Sequence, residues 1–215
     1  DRIARLEREL AQVKKQRAQQ KSRRRRQQLP IISIVGYTNA GKSTLLNSLT
    51  KSKVHVEDRL FATLDPTSKR LRFPRDFEVI ITDTVGFIKD LPRDLVEAFA
   101  ATLEELEDAN LLLHVIDLSN PGFPEHVKSV ERILGDLGLS SIPTIRVLNK
   151  ADLVDEEYAK RQCEIYGGIA ISAIDPSSLM PLIEVMQDII APYVLGSAGM
   201  TDRMFLVKEQ ANRMN

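Results

Sequence analysis

The stretch IISIVGYTNAGKST, residues 31–44, decides the fold of this 215-residue chain. Four of its first five residues are Ile or Val, as is typical of a strand buried on both faces of a parallel sheet. GYTNAGKS, residues 36–43, then fits the pattern G-x-x-x-x-G-K-S, and the residues after it predict a helix. In such a loop the glycines let backbone N–H groups turn toward phosphate oxygens, and the helix N-terminus adds a partial positive charge. The stretch therefore predicts a site for the phosphates of a nucleotide.

Short apolar runs and amphipathic stretches alternate along the rest of the chain. The runs are EVIIT (78–82), LLLHVI (111–116), TIRVL (144–148) and IAIS (169–172), and the amphipathic stretches lie near 43–51, 93–108, 124–137, 155–166 and 178–191. This alternation predicts an α/β fold of the P-loop NTPase type, with a doubly wound, mostly parallel sheet and helices on both faces. A further strand near 69–73 is expected to pair antiparallel with 78–82, because residues 74–76 leave room only for a hairpin.

Charge divides the chain although its formal net charge is zero. Residues 1–28 hold 11 Lys or Arg and 3 acidic residues, a charge of +8, so the remaining 187 residues carry −8. Coiled-coil spacing in the first half of this segment, at Ile3, Leu6, Leu10 and Val13, predicts a basic helical arm over 1–28. We expect a nucleotide-binding domain over 29–191, whose last helix ends at Pro192, and a tail or linker over 192–215. The run Arg23, Arg24, Arg25 and Arg26 is either a solvated linker or a contact to RNA.

Composition argues against a disordered protein and against one with a membrane-spanning helix. Hydrophobic residues make up 43% and charged residues 28%, as in ordinary globular proteins, and no apolar run approaches the roughly 20 residues of a membrane-spanning helix. The single cysteine, Cys163, cannot form an internal disulfide, which fits a reducing compartment. We expect a monomeric, cytoplasmic protein, or an organellar one if a targeting segment lies upstream of Asp1. Because the chain does not begin with methionine, we expect it to be a fragment.

Two motifs supply the residues for phosphate and magnesium. Lys42 is expected to reach the β and γ phosphates, and the Ser43 hydroxyl to bind Mg²⁺. DTVG, residues 83–86, follows a buried strand, so Asp83 is expected to hold the same Mg²⁺ through water and the Gly86 amide to sense the γ-phosphate.

Two later motifs indicate that the base is guanine. NKAD, residues 149–152, places the Asp152 carboxylate where it can accept hydrogen bonds from both N1 and N2 of guanine, a pair of donors that adenine lacks. Asn149 is expected to tie the loops together, and the stem of Lys150 to cover the base plane. SAI, residues 172–174, follows the next strand, and its backbone, chiefly at Ala173, is expected to donate to guanine O6. The full set expected to line the nucleotide is Gly36, Tyr37, Thr38, Asn39, Ala40, Gly41, Lys42, Ser43, Thr44, Phe61, Ala62, Thr63, Asp83, Thr84, Val85, Gly86, Asn149, Lys150, Asp152, Ser172, Ala173 and Ile174.

In this order and spacing the four motifs resemble those of translation-factor-related GTPases. The combination of GYTNAGKSTLLNSLT (36–50), LFATLDPTSKRL (60–71), DTVGFIKDLP (83–92), VEAFAATLEE (96–105) and NKADLV (149–154) resembles the HflX family of ribosome-associated GTPases over roughly residues 1–191. The basic arm also fits that family, whose members carry an N-terminal domain that is largely absent here. The resemblance implies a GTP-hydrolysing switch that binds the large ribosomal subunit and helps to split or rescue stalled ribosomes under stress.

The resemblance also concerns the threonine that completes the magnesium shell in the GTP state. FATLDPT, residues 61–67, offers Thr63 and Thr67. Relatives that read Phe-Thr-Thr-Leu at this point align Thr63 with the magnesium-binding threonine, and Thr67 stays open as the alternative. We accordingly expect Lys42, Thr63 and Gly86 to act in the reaction, and Ser43, Thr63 and Asp83 to serve the metal.

Two further positions bear on the rate of hydrolysis. Phe87 stands where Ras-like proteins carry a water-orienting glutamine, and a phenyl ring cannot position water by hydrogen bonding, so slow turnover that depends on a partner is expected. Asn39 matches an asparagine that potassium-using GTPases of this branch carry, so it either binds K⁺ or braces the loop.

A different class of function is an RNA-binding or assembly module that nucleotide regulates and in which hydrolysis is secondary. Salt-dependent RNA binding that is indifferent to nucleotide would favour this alternative.

Three other residues are expected to have no active role: His114 as a core or strand-edge residue, Cys163 without a reactive partner, and Asp117 as a turn residue before Asn120.

Overall fold

The computed structural model describes residues 29–50, 67–74, 77–84 and 104–194. The basic arm, the segment that holds Thr63 and most of the tail lie outside these residues. The described part contains a six-stranded sheet of order β2-β3-β1-β4-β5-β6. Its strands are β1 (Ile31–Gly36), β2 (Thr67–Arg72), β3 (Glu78–Asp83), β4 (Leu111–Asp117), β5 (Thr144–Asn149) and β6 (Gly168–Ala170).

Every strand pair in the sheet is parallel except β2 with β3, so the expected hairpin is confirmed. The register places Ser33 of β1 opposite Thr82 of β3, and their hydroxyl oxygens lie 3.0 Å apart in the buried sheet. On the other side Val35 of β1 pairs with His114 of β4. Because β2 and β3 lie on one side of β1 and β4 to β6 lie on the other, the loop that follows β1 is at the switch point where such folds bind ligands.

In the part of the chain that the structure describes, four helices cover the two faces of the sheet: α1 (Lys42–Thr50), α2 (Phe123–Asp136), α3 (Glu156–Tyr166) and α4 (Met180–Val194). Leu45 and Leu46 of α1 and Met186 of α4 share one buried cluster with β1, β3, β4 and β5. On the opposite face α2 buries Val130 and Leu134 against β1 and β4, and α3 adds Ala159 to a neighbouring cluster. The doubly wound arrangement expected from the sequence is therefore confirmed.

The ends of α3 follow the usual capping chemistry. The Asp155 carboxylate accepts hydrogen bonds from the backbone N–H groups of Glu157 and Tyr158, which have no partner within a first helical turn. At the other end Gly167 adopts the left-handed conformation, with φ of 61°, that closes a helix at low cost in strain.

Two element boundaries differ from expectation. The last helix was expected to end at Pro192, but α4 runs through it to Val194, because the fixed φ of proline is a helical value and only the bond from its missing N–H is lost. The final strand was expected to reach Ser172 and instead ends at Ala170. Short 3₁₀ helices occupy Glu104–Asp108, Ala151–Leu153 and Pro176–Leu179. Within the described residues, none of the helices combines the length and apolar character that crossing a bilayer requires.

Candidate functional site

The carboxyl ends of β1, β3, β4 and β5 lie side by side and bring three separate sequence motifs to one edge of the sheet. The phosphate loop (36–43) leaves β1, Asp83 ends β3, and the guanine loop (149–152) leaves β5. The register sets Ile34 against Asp83, and Asp117 against Asn149. These pairings fix the spacing of the motifs, because each functional residue sits at or just beyond the last residue of a buried strand.

Backbone geometry shows why the phosphate loop needs glycine at its first and sixth positions. A Cβ atom on Gly36 would lie 2.3 Å from the carbonyl oxygen of Val115 in β4, and one on Gly41 would lie 2.3 Å from Nδ2 of Asn149. Both positions also have positive φ, 152° and 94°. Asn39 reaches φ of 61° without being glycine, and its side chain is exposed at the loop surface.

Lys42 begins α1 as a buried cation, with 7% of its surface exposed. Its Nζ donates to the carbonyl oxygen of Tyr37, 3.1 Å away, so the lysine folds back over its own loop. Burial lowers the pKa of Lys42 to about 8, and the nearby charge of Asp83 opposes this shift. An anionic ligand in the loop would stabilise the charged form of Lys42, which burial destabilises.

Ser43 and Asp83 bring together two oxygen donors of the kind that Mg²⁺ prefers. Ser43 Oγ donates to Asp83 Oδ2 at 2.5 Å, and the Asp83 side chain is almost fully buried. Next to it, the Thr84 hydroxyl donates to the carbonyl oxygen of Ile34 at 2.6 Å, which holds the chain after β3 against β1. A hydroxyl beside a buried carboxylate fits a small hard cation, so the residues present are compatible with the expected magnesium site.

Asn149 joins the phosphate loop to the loop that follows β6. Its Nδ2 donates to the carbonyl oxygen of Ala40 at 2.8 Å, and its Oδ1 accepts from the backbone N–H of Ala173 at 2.9 Å. Both bonds are buried, where an unmade hydrogen bond would cost more than at the surface. The side chain thus ties together two loops that are more than 130 positions apart in the sequence.

The second guanine loop (172–174) is held by hydrogen bonds to other parts of the chain. The Ala173 N–H, which was expected to donate to guanine O6, donates to Asn149 Oδ1 in this structure. The contact with guanine O6 stays a prediction, and it requires this N–H to be shared between the two oxygens or released from Asn149. The Ser172 N–H donates to Ser178 Oγ at 2.9 Å. Ser48 of α1 donates through its hydroxyl to the carbonyl oxygen of Ala173, while the Ile174 side chain is 73% exposed.

Lys150 and Asp152 are both residues of the guanine loop, and their side chains have different surroundings. Lys150 adopts the left-handed conformation, with φ of 63° and ψ of 35°, immediately before the 3₁₀ turn that carries Asp152. The Asp152 side chain is exposed, and Lys150 Nζ lies 2.7 Å from Asp117 Oδ2 at the end of β4. From the sequence, Asp117 was expected to be a turn residue with no role in the site. The signal for it was its place directly after a buried strand, the same position that Asp83 has.

A second feature that sequence reasoning missed is a ring stack beside the phosphate loop. The Tyr37 and His126 rings are parallel to within 4°, and their centroids are 3.7 Å apart. His126 lies in the first turn of α2, so the stack joins the phosphate loop to that helix.

Several expected residues are not among those the structure describes: Phe61, Ala62, Thr63, Val85, Gly86 and Phe87. Thr67, the alternative magnesium ligand, is the first residue of β2, where its backbone pairs with Asp83. Thr38 is buried and Thr44 is partly buried in α1. The roles expected for all these residues stay predictions.

Comparisons with known proteins agree with this arrangement. A family model described as "50S ribosome-binding GTPase" matches residues 31–150. The protein "GTPase HflX" of Caldanaerobacter subterraneus subsp. tengcongensis is 50% identical over 187 residues, which are 87% of this chain and 43% of that protein. "GTPase HflX" of Escherichia coli is 46% identical over 156 residues, 73% of this chain and 37% of that protein.

Among solved structures, a GTP-binding protein from the archaeon Sulfolobus solfataricus, in complex with GDP, matches with a TM-score of 0.62 at 29% identity. The match covers 75% of this chain and 52% of that one. The chain spans less than half the length of the curated relatives it matches. With this similarity along most of its length, the chain belongs to the GTPase HflX family.

Proposed function

We propose that this chain is the nucleotide-binding part of a switch protein that binds GTP and hydrolyses it to GDP and phosphate. The observation that carries the proposal is the meeting of the phosphate loop, Asp83 and the guanine loop at one sheet edge, with Asn149 bonded to both Ala40 and Ala173. This bridge supports a site in which phosphate and base are held by parts of one connected frame.

In hydrolysis, Lys42 is expected to bind the phosphates, and Ser43 and Asp83 to bind the metal. Water attacks the γ-phosphorus, the bond from that phosphorus to the oxygen it shares with the β-phosphate breaks, and that oxygen leaves with GDP. Lys42 offers a desolvated ammonium to the phosphate oxygens, where a positive charge counts for more than it would in water. Ser43 and Asp83 would hold Mg²⁺, which neutralises phosphate charge when bound.

We also propose that the large ribosomal subunit is the partner, in the splitting or rescue of stalled ribosomes under stress. The family description and the names of the relatives support an association with ribosomes. The excess of basic residues over 1–28 supports contact with a polyanion such as ribosomal RNA. Slow turnover is expected without the partner, because Phe87 cannot orient water.

The test is GTP turnover by the whole chain in potassium buffer, with and without purified large ribosomal subunits. We expect a large stimulation by the subunits. A Lys42→Met variant should lose it, while Lys128→Met, which changes an exposed lysine of α2, should retain it. The same assay in sodium at matched ionic strength tests Asn39, since K⁺ bound near the phosphates is expected to accelerate turnover.

Other results would contradict parts of the proposal. Equal turnover in potassium and sodium would remove the potassium site. Tight binding of GTP and GDP with no stimulation by subunits would require repeating the assay on the longer protein, and a second failure there would refute the ribosomal role. Salt-dependent RNA binding that does not respond to nucleotide would favour the alternative of a nucleotide-regulated RNA-binding or assembly module.

A further inference from the structure

We infer that Asp117 is a positioning residue of the guanine subsite: it holds the Lys150 side chain beside the base and thereby sets the affinity for guanine nucleotides. The inference rests on the proposed function, because it assumes that the guanine loop binds guanine.

The backbone brings the two residues together at the ends of neighbouring strands. Asp117 is the last residue of β4 and pairs in register with Asn149, the last residue of β5. One step farther along, the Leu118 N–H donates to the Asn149 carbonyl oxygen at 3.0 Å. Asp117 and Lys150 therefore stand on adjoining, hydrogen-bonded pieces of backbone, and their side chains meet without a long reach.

Both oxygens of the Asp117 carboxylate have partners. Oδ1 accepts from the backbone N–H of Ser119 at 3.1 Å and from the Ser119 hydroxyl at 2.6 Å, which is the local turn that aspartate favours. Oδ2 accepts from Lys150 Nζ at 2.7 Å. Ser119 thus fixes the orientation of the carboxylate and leaves one oxygen directed to the lysine.

The pair is partly shielded from water, in contrast to the other ion pairs of the described residues. Side-chain exposure is 26% for Lys150 and 14% for Asp117, whereas the remaining pairs there involve side chains that are at least 40% exposed. Shielded pairs with good geometry hold their side chains more firmly than surface pairs do. Lys150 is also fixed through its backbone, since its carbonyl oxygen accepts from the Leu153 N–H at 3.0 Å.

This restraint bears on binding because a free lysine loses rotamer freedom when it packs on a base. Asp117 has already fixed the far end of the stem, so less freedom is lost on binding. Releasing the lysine should therefore weaken the binding of GDP and of GTP by the same factor, since the guanine loop is not expected to contact the γ-phosphate. Releasing one long side chain corresponds to a rise in Kd of about 2–10-fold.

The experiment is a fluorescence titration of the whole chain with N-methylanthraniloyl-GDP and the matching triphosphate analogue, in magnesium buffer. Asp117→Asn places an amide where the carboxylate faced the ammonium, and we expect the Kd for both nucleotides to rise by about 2–10-fold. Against a Lys150→Met background, which keeps a long apolar stem, the same change should have no further effect. This loss of effect separates positioning through Lys150 from a general structural role.

Glu131→Gln is the matched control, because it breaks a carboxylate pair with Arg146, which lies within β5 and outside the guanine loop, and should leave Kd unchanged. If Asp117→Asn lowers the melting temperature too far for titration, Ser119→Ala removes the hydroxyl that braces the carboxylate and should raise Kd about 2–3-fold. An unchanged Kd in Asp117→Asn, or an equal rise in Kd in the Lys150→Met background, would overturn this inference and would leave the proposed function standing. If the unaltered chain fails to bind the GDP analogue, or if ADP competes as well as GDP, the proposed function falls and the inference falls with it.

Discussion

His114 is a polar residue that is buried because of its position in the sheet, and it has no expected part in the reaction. It lies in β4 between Val35 and Arg146 in the register, and its side chain is 2% exposed, as expected for a core histidine. Burial, and then the charge of Arg146, lower its pKa from 6.5 to about 4. The imidazole is therefore neutral in the folded chain throughout the physiological range.

This shift predicts a dependence of stability on pH. In the unfolded chain His114 takes up a proton near pH 6.5, but in the folded chain only near pH 4, so stability is full above pH 6.5 and declines as pH falls toward 4. The difference corresponds to about 3 kcal/mol in the free energy of unfolding. His114→Leu should remove that part of the pH dependence, as measured by urea unfolding between pH 4 and 8. His126→Leu is the control, which tests whether replacing a different histidine changes the pH dependence in the same way. The explanation fails if His114→Leu keeps the wild-type dependence of unfolding free energy on pH.

At the scale of elements, the sequence predicted what depends on local pattern and missed what depends on partners. All six strands were expected: five because continuous apolar runs between polar residues have few other solutions in an α/β fold, and β2 because the short connection to β3 leaves room only for a hairpin. The position of Asp83 and Asn149 at strand ends was predicted for the same reason. The Asp117–Lys150 pair and the Tyr37–His126 stack join residues more than 30 positions apart, and no periodicity encodes such a contact.

One side chain of β5 connects two helices of the same face. Arg146 donates through Nε and Nη2 to Glu131 of α2, at 3.0 and 2.8 Å, and through Nη1 to the Tyr166 carbonyl oxygen at the end of α3, at 2.8 Å. The pair with Glu131 is about two-fifths exposed, so solvent weakens it. The bond to Tyr166 satisfies a carbonyl that has no partner within the helix.

We therefore expect Glu131→Gln to cost less than about 1 kcal/mol in the free energy of unfolding, and Arg146→Leu to cost about 1–2 kcal/mol. Urea unfolding at pH 8, where His114 is neutral in both folded and unfolded chains, measures the two without a contribution from that histidine. Equal losses for the two variants would show that the Tyr166 bond contributes nothing.

For the whole molecule, the site costs stability that a ligand is expected to return. Lys42 is a buried ammonium whose pKa falls from 10.5 to about 8, which corresponds to about 3 kcal/mol against the charged form at neutral pH. A fold selected only for stability would place an apolar residue there. Retention of the lysine fits a site in which phosphate repays the desolvation of the ammonium.

Lys42→Met should thus stabilise the nucleotide-free chain while it removes the response to nucleotide. Allowing for the lost bond to Tyr37, we expect a gain of about 1–3 kcal/mol at pH 7, or a rise of roughly 2–12 °C in melting temperature for a chain of this size. Excess MgGDP should raise the melting temperature of the unaltered chain and leave that of Lys42→Met unchanged. Lys128→Met, at an exposed position of α2, should match the unaltered chain in both measurements. If Lys42→Met melts below the unaltered chain without ligand, the ammonium stabilises the empty loop, and the opposition between stability and binding does not exist in this protein.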